Sequence, residues 1–227
     1  MTRILVVGDG KMGKAVAQVA TDRGADVVAI YGPAEMARAV GAGIADVAIE
    51  FTEPGAAAGN VRACLEAGIP VVSGTTGWDA QLDAVRKEVS GSGGAFMHAP
   101  NFSIGVAMFS RIVETAAALA KSAPGFSGAI LETHHSAKLD APSGTAKMLG
   151  RVAAKASGKE WPITSVRVGS VPGTHEVILD SPFEQIRLVH EARDRRVFAE
   201  GAVAAARWLV GKSGVFSFDD YINDQLG

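Results

Sequence analysis

The sequence predicts an α/β chain: an N-terminal Rossmann-type parallel sheet with a second α+β domain built on a mixed sheet. Three observations carry that prediction. Over the first hundred residues, short β-branched runs alternate with stretches of helical period, the pattern of βαβ units in a parallel sheet. A glycine-rich turn, Gly8-Asp9-Gly10-Lys11-Met12-Gly13, follows the first apolar run and opens the first helical stretch. Beyond Ser103 the alternation stops, and the chain ends its second half in successive strand-like runs with no helices between them, which implies a sheet at least partly antiparallel.

Element by element, Arg3 to Val7 reads as the first strand, Lys14 to Arg23 as a helix with Val16, Ala17, Val19 and Ala20 at helical spacing, and Asp26 to Tyr31 as the second strand. After a short crossover, Asp46 to Phe51 forms a third strand. Pro54 to Ala67 is a helix opened by proline in its first turn, Pro70 to Ser73 a fourth strand, a helix begins near Asp79, and Ala95 to His98 is a fifth strand. A helix then runs through Lys121, followed by a strand at Ser127–Thr133 and a helix from Ser143 to about Ala156. The later strands fall near Ile163–Gly169, His175–Asp180 and Glu184–Val189, and Arg195 to Leu209 is an amphipathic helix. The expected division is a dinucleotide-binding domain over 1–102, with 195–227 packing back on it, and a substrate-binding and oligomerisation domain over 103–194.

Composition narrows the function. With 227 residues, 48% hydrophobic and 20% charged, the chain can bury a real core and lies far from disordered compositions. A net charge of −2 provides no global field to recruit nucleic acid or an anionic membrane, so neither is an expected partner. The lone cysteine, Cys64, excludes an intramolecular disulfide framework and reads as a small core residue. The apolar run at Ile4–Val7 is too short for a signal-peptide core, which makes a cytoplasmic location the expectation. The uncharged stretch from Val89 to Ser110 is interrupted by glycines, serines, Pro100 and Asn101, and so reads as strand, loop and helix rather than a membrane span.

Two motifs carry chemistry. In the Gly8–Gly13 turn, glycines permit the tight turn and the close approach of a pyrophosphate, while the helix start offers N–H donors to the anion. A carboxylate should follow at the end of the second strand to accept ribose hydroxyls. That place reads Tyr31-Gly32-Pro33, with Glu35 the nearest acid and Lys11 or Arg38 available to a 2′-phosphate, so NADH and NADPH both remain open. The richer constellation is Glu132-Thr133-His134-His135-Ser136-Ala137-Lys138-Leu139-Asp140-Ala141-Pro142-Ser143-Gly144-Thr145-Ala146. Two histidines, a lysine and a Ser-Gly-Thr turn opening a helix put proton donors and backbone N–H groups in one loop, suited to an anionic substrate that must be protonated. A metal site is not expected, because adjacent histidines at a strand end point apart and no matching ligand pair stands out elsewhere.

On these residues the chain resembles the dihydrodipicolinate reductases from end to end. The resemblance rests on Val6–Val16, Asp46–Pro54, Gly74–Trp78 (GTTGW), Ala99–Val106 (APNFSIGV), Glu132–Ala146, Arg167–Val177 and His190–Ala202. Family members are generally longer, and the missing residues fall in the crossover between Ile30 and Asp46. The resemblance implies reduction of the cyclic imine dicarboxylate derived from 4-hydroxy-tetrahydrodipicolinate by NADH or NADPH, in lysine and diaminopimelate biosynthesis, by a cytoplasmic homotetramer. It implies His134 as acid/base, Lys138 as proton donor, and His135, Ser143, Gly144 and Thr145 as substrate contacts. Cofactor contacts are implied at Gly8, Asp9, Gly10, Lys11, Met12 and Gly13, at Gly74, Thr75 and Thr76, and at Ala99, Pro100, Asn101 and Phe102. His98, His175 and His190 stand as structural histidines or site contacts alike. Two other functions compete: an NAD(P)-dependent dehydrogenase of another amino or imino acid, and a catalytically silent dinucleotide sensor. The His134–Thr145 loop argues against both.

Overall fold

A computed structural model describes residues 1–36 and 40–226. The elements run β1 (Arg3–Val7), α1 (Lys11–Asp22), β2 (Asp26–Tyr31), α2 (Pro33–Met36), β3 (Val47–Glu50), α3 (Pro54–Glu66), β4 (Val71–Ser73), α4 (Asp79–Ser92), β5 (Ala95–His98), α5 (Ile104–Ser122), β6 (Ser127–His134), α6 (Gly144–Ser157), β7 (Ile163–Arg167), β8 (Thr174–Asp180), β9 (Gln185–Glu191), α7 (Arg196–Leu209), β10 (Gly214–Phe216) and α8 (Phe218–Leu226). They form two compact units, one of residues 1–103 with 196–227 and one of residues 104–195.

The first unit is built on a six-stranded parallel sheet in the order β10-β5-β4-β3-β1-β2. Its central strands are buried on both faces, which is why β1, β3 and β4 read as continuous apolar runs instead of alternating ones. A core of Leu5, Val7, Ala48, Val61, Cys64, Val71, Trp78, Leu82, Val85 and Phe96 lies against them. Burial pushes the Cys64 thiol up to about 12, so it is a neutral packing residue as the sequence indicates. The order in which strands are added reverses between β1 and β3, the place where open parallel sheets leave a crevice at their carboxyl ends.

The second unit carries a four-stranded sheet in the order β7-β6-β8-β9, with β6 and β7 parallel across α6 and the remaining pairs antiparallel. Its core gathers Phe109, Val113 and Ala117 of α5, Leu149 and Ala153 of α6, and Ile130, Val177 and Leu179 of the sheet, with Trp161 beside them. The sheet is mixed, as the sequence pattern predicts.

The sequence reading and the structure differ at the chain's end and at the first helix. β10 and α8 have no counterpart in that reading, because three residues cannot show a strand period and the strand is fixed by pairing with β5. Helix α1 begins at Lys11, three residues earlier than predicted, because Gly13 falls inside its first turn and hides the helical pattern. No helix among the described residues is long and apolar enough to cross a membrane.

Helix α7 packs on α1 and on strands β3 and β4 through a small-residue face of Ala199, Gly201, Ala202, Ala205 and Ala206. At Gly201 an added Cβ would stand 1.7 Å from the Phe102 carbonyl oxygen, a backbone atom that cannot swing away. Gly201→Ala should therefore lower stability by about 1–3 kcal/mol, the usual cost of overpacking, read as a lower urea midpoint with an unchanged slope.

Candidate functional site

Period-two alternation places Ile130, Glu132 and His134 on the face of β6 that meets α5 and α6. Opposite them, β7 supplies Ile163, Ser165 and Arg167, and β8 supplies Val177 and His175. One sheet face thus begins apolar and ends as a buried polar cluster.

Glu132 is wholly buried and is the hub of that cluster. Its Oε1 accepts from Arg167 Nη2 at 2.7 Å and from the Ser143 amide at 3.3 Å, while Oε2 pairs with His134 Nδ1. Burial alone would raise its pKa, but the guanidinium and the neighbouring imidazole hold it at about 2. Arg167 also donates to the carbonyls of Lys138 at 3.3 Å and Asp140 at 2.6 Å, so the same side chain fixes the loop after the strand. Within that loop Lys138 Nζ lies 2.7 Å from Asp140 Oδ1, which lowers the aspartate pKa.

The His134 ring meets the His175 ring edge to face, with centroids 5.2 Å apart. His175 Nε2 lies 3.3 Å from Ser143 Oγ, and that hydroxyl caps α6 by accepting from the Ala146 amide at 3.1 Å. Burial lowers both histidines below 6.5, His134 against the pull of Glu132 and His175 to about 4 with help from His134, so both are mainly neutral at pH 7. At Gly173 an added Cβ would sit 3.0 Å from His134 Nε2, so glycine there keeps that edge of the imidazole clear. His135, one residue past the strand, is half-buried; Gly144 and Thr145 form the first turn of α6, where Gly144 borders open space.

The expectation that no second ligand pair exists needs correction, since Glu132, His134 and His175 bring potential ligand atoms within 4.8 Å of one another. No local pattern signals this, because His175 comes from β8, a strand far along the chain. Arg167 already supplies a positive charge to the same carboxylate, and a metal cation there would face the guanidinium at close range. The arrangement is that of a hydrogen-bonded acid/base cluster.

In the first unit the glycine turn is built by close backbone approach. A Cβ at Gly8, whose φ is +117°, would lie 2.1 Å from the Phe51 carbonyl oxygen, and one at Gly13 would lie 1.7 Å from the Gly8 carbonyl oxygen. Gly10 instead borders open space at the N-cap of α1. The turn thus presents a smooth backbone surface at a helix N-terminus with no acid in its first turn, which fits a dinucleotide pyrophosphate. At the end of β2, Glu35 accepts from the Gly32 amide at 2.9 Å, so this acid does return to the place where a ribose carboxylate is expected. Arg38 lies outside the described residues.

Sequence reasoning missed Glu50, another wholly buried acid. It accepts from Ser73 Oγ at 2.6 Å, Thr75 Oγ1 at 2.7 Å, the Thr52 amide at 3.0 Å and the Thr52 hydroxyl. The Thr75 carbonyl accepts from Trp78 Nε1 at 2.8 Å and faces His98 Nε2 at 3.0 Å. Thr75 is therefore consumed in holding the Gly74–Trp78 turn, whereas Thr76 is exposed. Asn101 Oδ1 accepts from the Ser103 amide and shapes the turn after β5. A cavity of about 600 Å³ in the second unit, bordered by Lys121, Phe126, Trp161 and Asp180, contains none of the motif residues and no convergent set of proton donors.

Comparison with known proteins covers both units. Residues 2–102 match the family described as dihydrodipicolinate reductase, N-terminus, and residues 105–222 match dihydrodipicolinate reductase, C-terminus. The chain is 35% identical to the 4-hydroxy-tetrahydrodipicolinate reductase of Christiangramia forsetii over 97% of its own length and 98% of that protein's. It is 36% identical to the Haloarcula marismortui enzyme of the same name, over 98% and 100% respectively. Its fold resembles that of the dipicolinate-bound dihydrodipicolinate reductase from Paenisporosarcina sp. TG-14, with a TM-score of 0.77 and 22% identity over 96% of this chain and 97% of that one.

The buried cluster makes a prediction about acid. The His175 pKa falls from 6.5 to about 4 on folding, so the unfolded chain binds more protons between those values and stability drops as pH falls through that window. The loss should reach roughly 3 kcal/mol at the lower end. Glu132, held at about 2 against 4.5, withdraws its own contribution only below pH 4.5. Urea titrations between pH 6.5 and 4.5 should show a slope shared by the histidines that folding lowers, His175 with His134, His98 and His190, and His175→Asn should reduce it.

Proposed function

The chain belongs to the dihydrodipicolinate reductase family, and from that premise we propose that it reduces the cyclic imine dicarboxylate derived from 4-hydroxy-tetrahydrodipicolinate to tetrahydrodipicolinate with NADH or NADPH, in lysine and diaminopimelate biosynthesis. The observation that carries the reading is the loop in which His134, Lys138 and the capped start of α6 are all tied to Glu132 and Arg167.

A bound nicotinamide supplies hydride. The chain's own residues then have three tasks. Gly8 to Gly13 cradle the pyrophosphate, with Gly74 to Thr76 and Ala99 to Phe102 bordering the cofactor. The first turn of α6, at Ser143, Gly144 and Thr145, holds one substrate carboxylate with His135 beside it, as favours an anion at a helix N-terminus. Hydride addition to a conjugated imine builds negative charge that Lys138 quenches by giving up an ammonium proton, with His134 as the acid/base partner that exchanges it. On this reading residues 1–102 with 195–227 bind the dinucleotide, and residues 103–194 bind the substrate. The exposed apolar side chains Val166 of β7 and Val189 of β9, on the sheet face turned away from α5 and α6, support self-association through the second sheet, and we infer a cytoplasmic homotetramer.

Turnover of enzymatically generated substrate, followed as loss of reduced-nicotinamide absorbance with each cofactor in turn, tests the proposal; absence of oxidation with both would overturn it. Lys138→Met should lower kcat by about 10²–10⁴ with cofactor affinity unchanged, and His134→Gln should behave alike. Gly10→Ala places a methyl group in open space at the proposed pyrophosphate position. It should cost at most about 1 kcal/mol of stability, the worth of a helix cap, yet weaken NADPH binding at least about tenfold in a fluorescence titration.

A further inference from the structure

We propose that Glu132 and Arg167 are positioning residues for the reaction, Glu132 setting which nitrogen of His134 carries the proton and Arg167 fixing the backbone of the loop that bears Lys138. The inference rests on the functional reading above only for the identity of the chemistry; the placement of the proton is a property of the free protein.

The geometry gives each residue one task. A neutral imidazole has one N–H and one lone pair, and a carboxylate can only accept. The contact of Glu132 Oε2 with His134 Nδ1 sets an acceptor against that nitrogen and so assigns the proton to Nδ1, which leaves Nε2 as the lone-pair nitrogen. Nε2 is the nitrogen beside Gly173, on the edge of the ring kept clear by the missing side chain. The other groups facing the imidazole are His175 across its edge, Lys138 from the loop and Arg167 from β7. Of the groups named here, only the carboxylate demands a proton on Nδ1. Thus Glu132 delivers His134 in the form that takes a proton at Nε2 and returns it there.

Arg167 reaches four acceptors from a side chain that is itself largely buried: Glu132 Oε1 and the carbonyls of Lys138, Asp140 and Val166. A planar guanidinium can hold these fixed directions together, and an ammonium cannot. The loop from Ser136 to Asp140 is further tied by Ser136 N to the Gly169 carbonyl at 3.2 Å. Removing the guanidinium fork would release the Lys138 and Asp140 carbonyls and leave the loop to the Ser136–Gly169 bond and the turn bond from the Lys138 amide to the His135 carbonyl at 3.1 Å.

Nitrogen-15 spectra of histidine-labelled protein, assigned with His134→Gln, report the tautomer directly. In the unmodified chain His134 should carry its proton on Nδ1. In Glu132→Gln the amide NH2 group faces that nitrogen and should drive the proton to Nε2, while the remaining oxygen still accepts from Arg167 and Ser143. The kcat should then fall about 100-fold or more, as when an orienting acid is made an amide, with KM for the dicarboxylate changed less than about threefold. Arg167→Lys should leave the tautomer as it is and lower kcat about tenfold through the loosened Lys138 loop. A residue that merely supports the fold would lower thermal stability and disturb kcat and KM together, with no change of tautomer. The proposal is overturned if His134 in the unmodified chain is protonated on Nε2, an outcome that needs no variant to fold. It is also overturned if Glu132→Gln keeps kcat within about threefold. A chain that shows the Nδ1 tautomer but no turnover refutes the functional reading and leaves the placement of the proton standing.

Discussion

The second unit is organised around a carboxylate that water cannot reach. Burying an ionised group costs several kcal/mol unless fixed charges and hydrogen bonds replace its hydration, and Glu132 is fully buried. Every group that performs this replacement is thereby held in place: the Arg167 guanidinium, the His134 imidazole and the Ser143 amide. Those three lie on β7, at the end of β6 and at the cap of α6, so one electrostatic requirement fixes strand end, loop and helix start relative to each other. Replacing such a cluster by apolar groups of equal volume is often neutral for stability. Its value here lies in the geometry it specifies.

The first unit solves a similar problem by other means. Glu50 stands at the end of β3, is equally inaccessible, and has no ion pair among the described residues. Hydroxyls of Ser73, Thr75 and Thr52 with the Thr52 amide surround it, drawing together the ends of β3 and β4 and the turn that follows β4. Both buried acids lie near the carboxyl ends of strands, where an α/β sheet places its functional loops. The difference suits the chemistry. On the proposed reading, a turn that borders a dinucleotide needs shape, which hydroxyl donors provide, whereas a proton-transfer loop needs a charge that biases an imidazole, which the Glu132–Arg167 pair provides.

What could be read from the chain follows from the range of each signal. Continuous apolar runs and helical spacing are local, and they located β1 to β5 and the mixed character of the second sheet before any coordinates. The motif from Glu132 to Ala146 is also local, and period-two alternation along β6 already puts Glu132 and His134 on one face. Arg167 and His175 are different, since they join the cluster through strand register, which pairs His134 with Arg167 and Glu132 with His175. Nothing in the residues around His175 marks it as a neighbour of His134. Thr75 illustrates the opposite case: the motif was visible, but not that its side chain would be spent on Glu50. The last strand, β10, was hidden because three residues carry no period and tertiary pairing alone defines them.

The short connection between β2 and β3 also acquires a physical meaning. With no strand between them among the described residues, β3 lies directly beside β1, and the reversal of strand order falls between these two strands. The pyrophosphate turn depends on this adjacency, because Gly8 packs on the Phe51 carbonyl just beyond β3. A shortened crossover is therefore compatible with an intact phosphate site. On the far side of β1 the Glu35 and Asp9 carboxylates gather about Gly32. The glycine turn is assembled from β1, the start of α1, the backbone just beyond β3 and the end of β2, whose Tyr31 carbonyl accepts from the Gly8 amide at 2.7 Å.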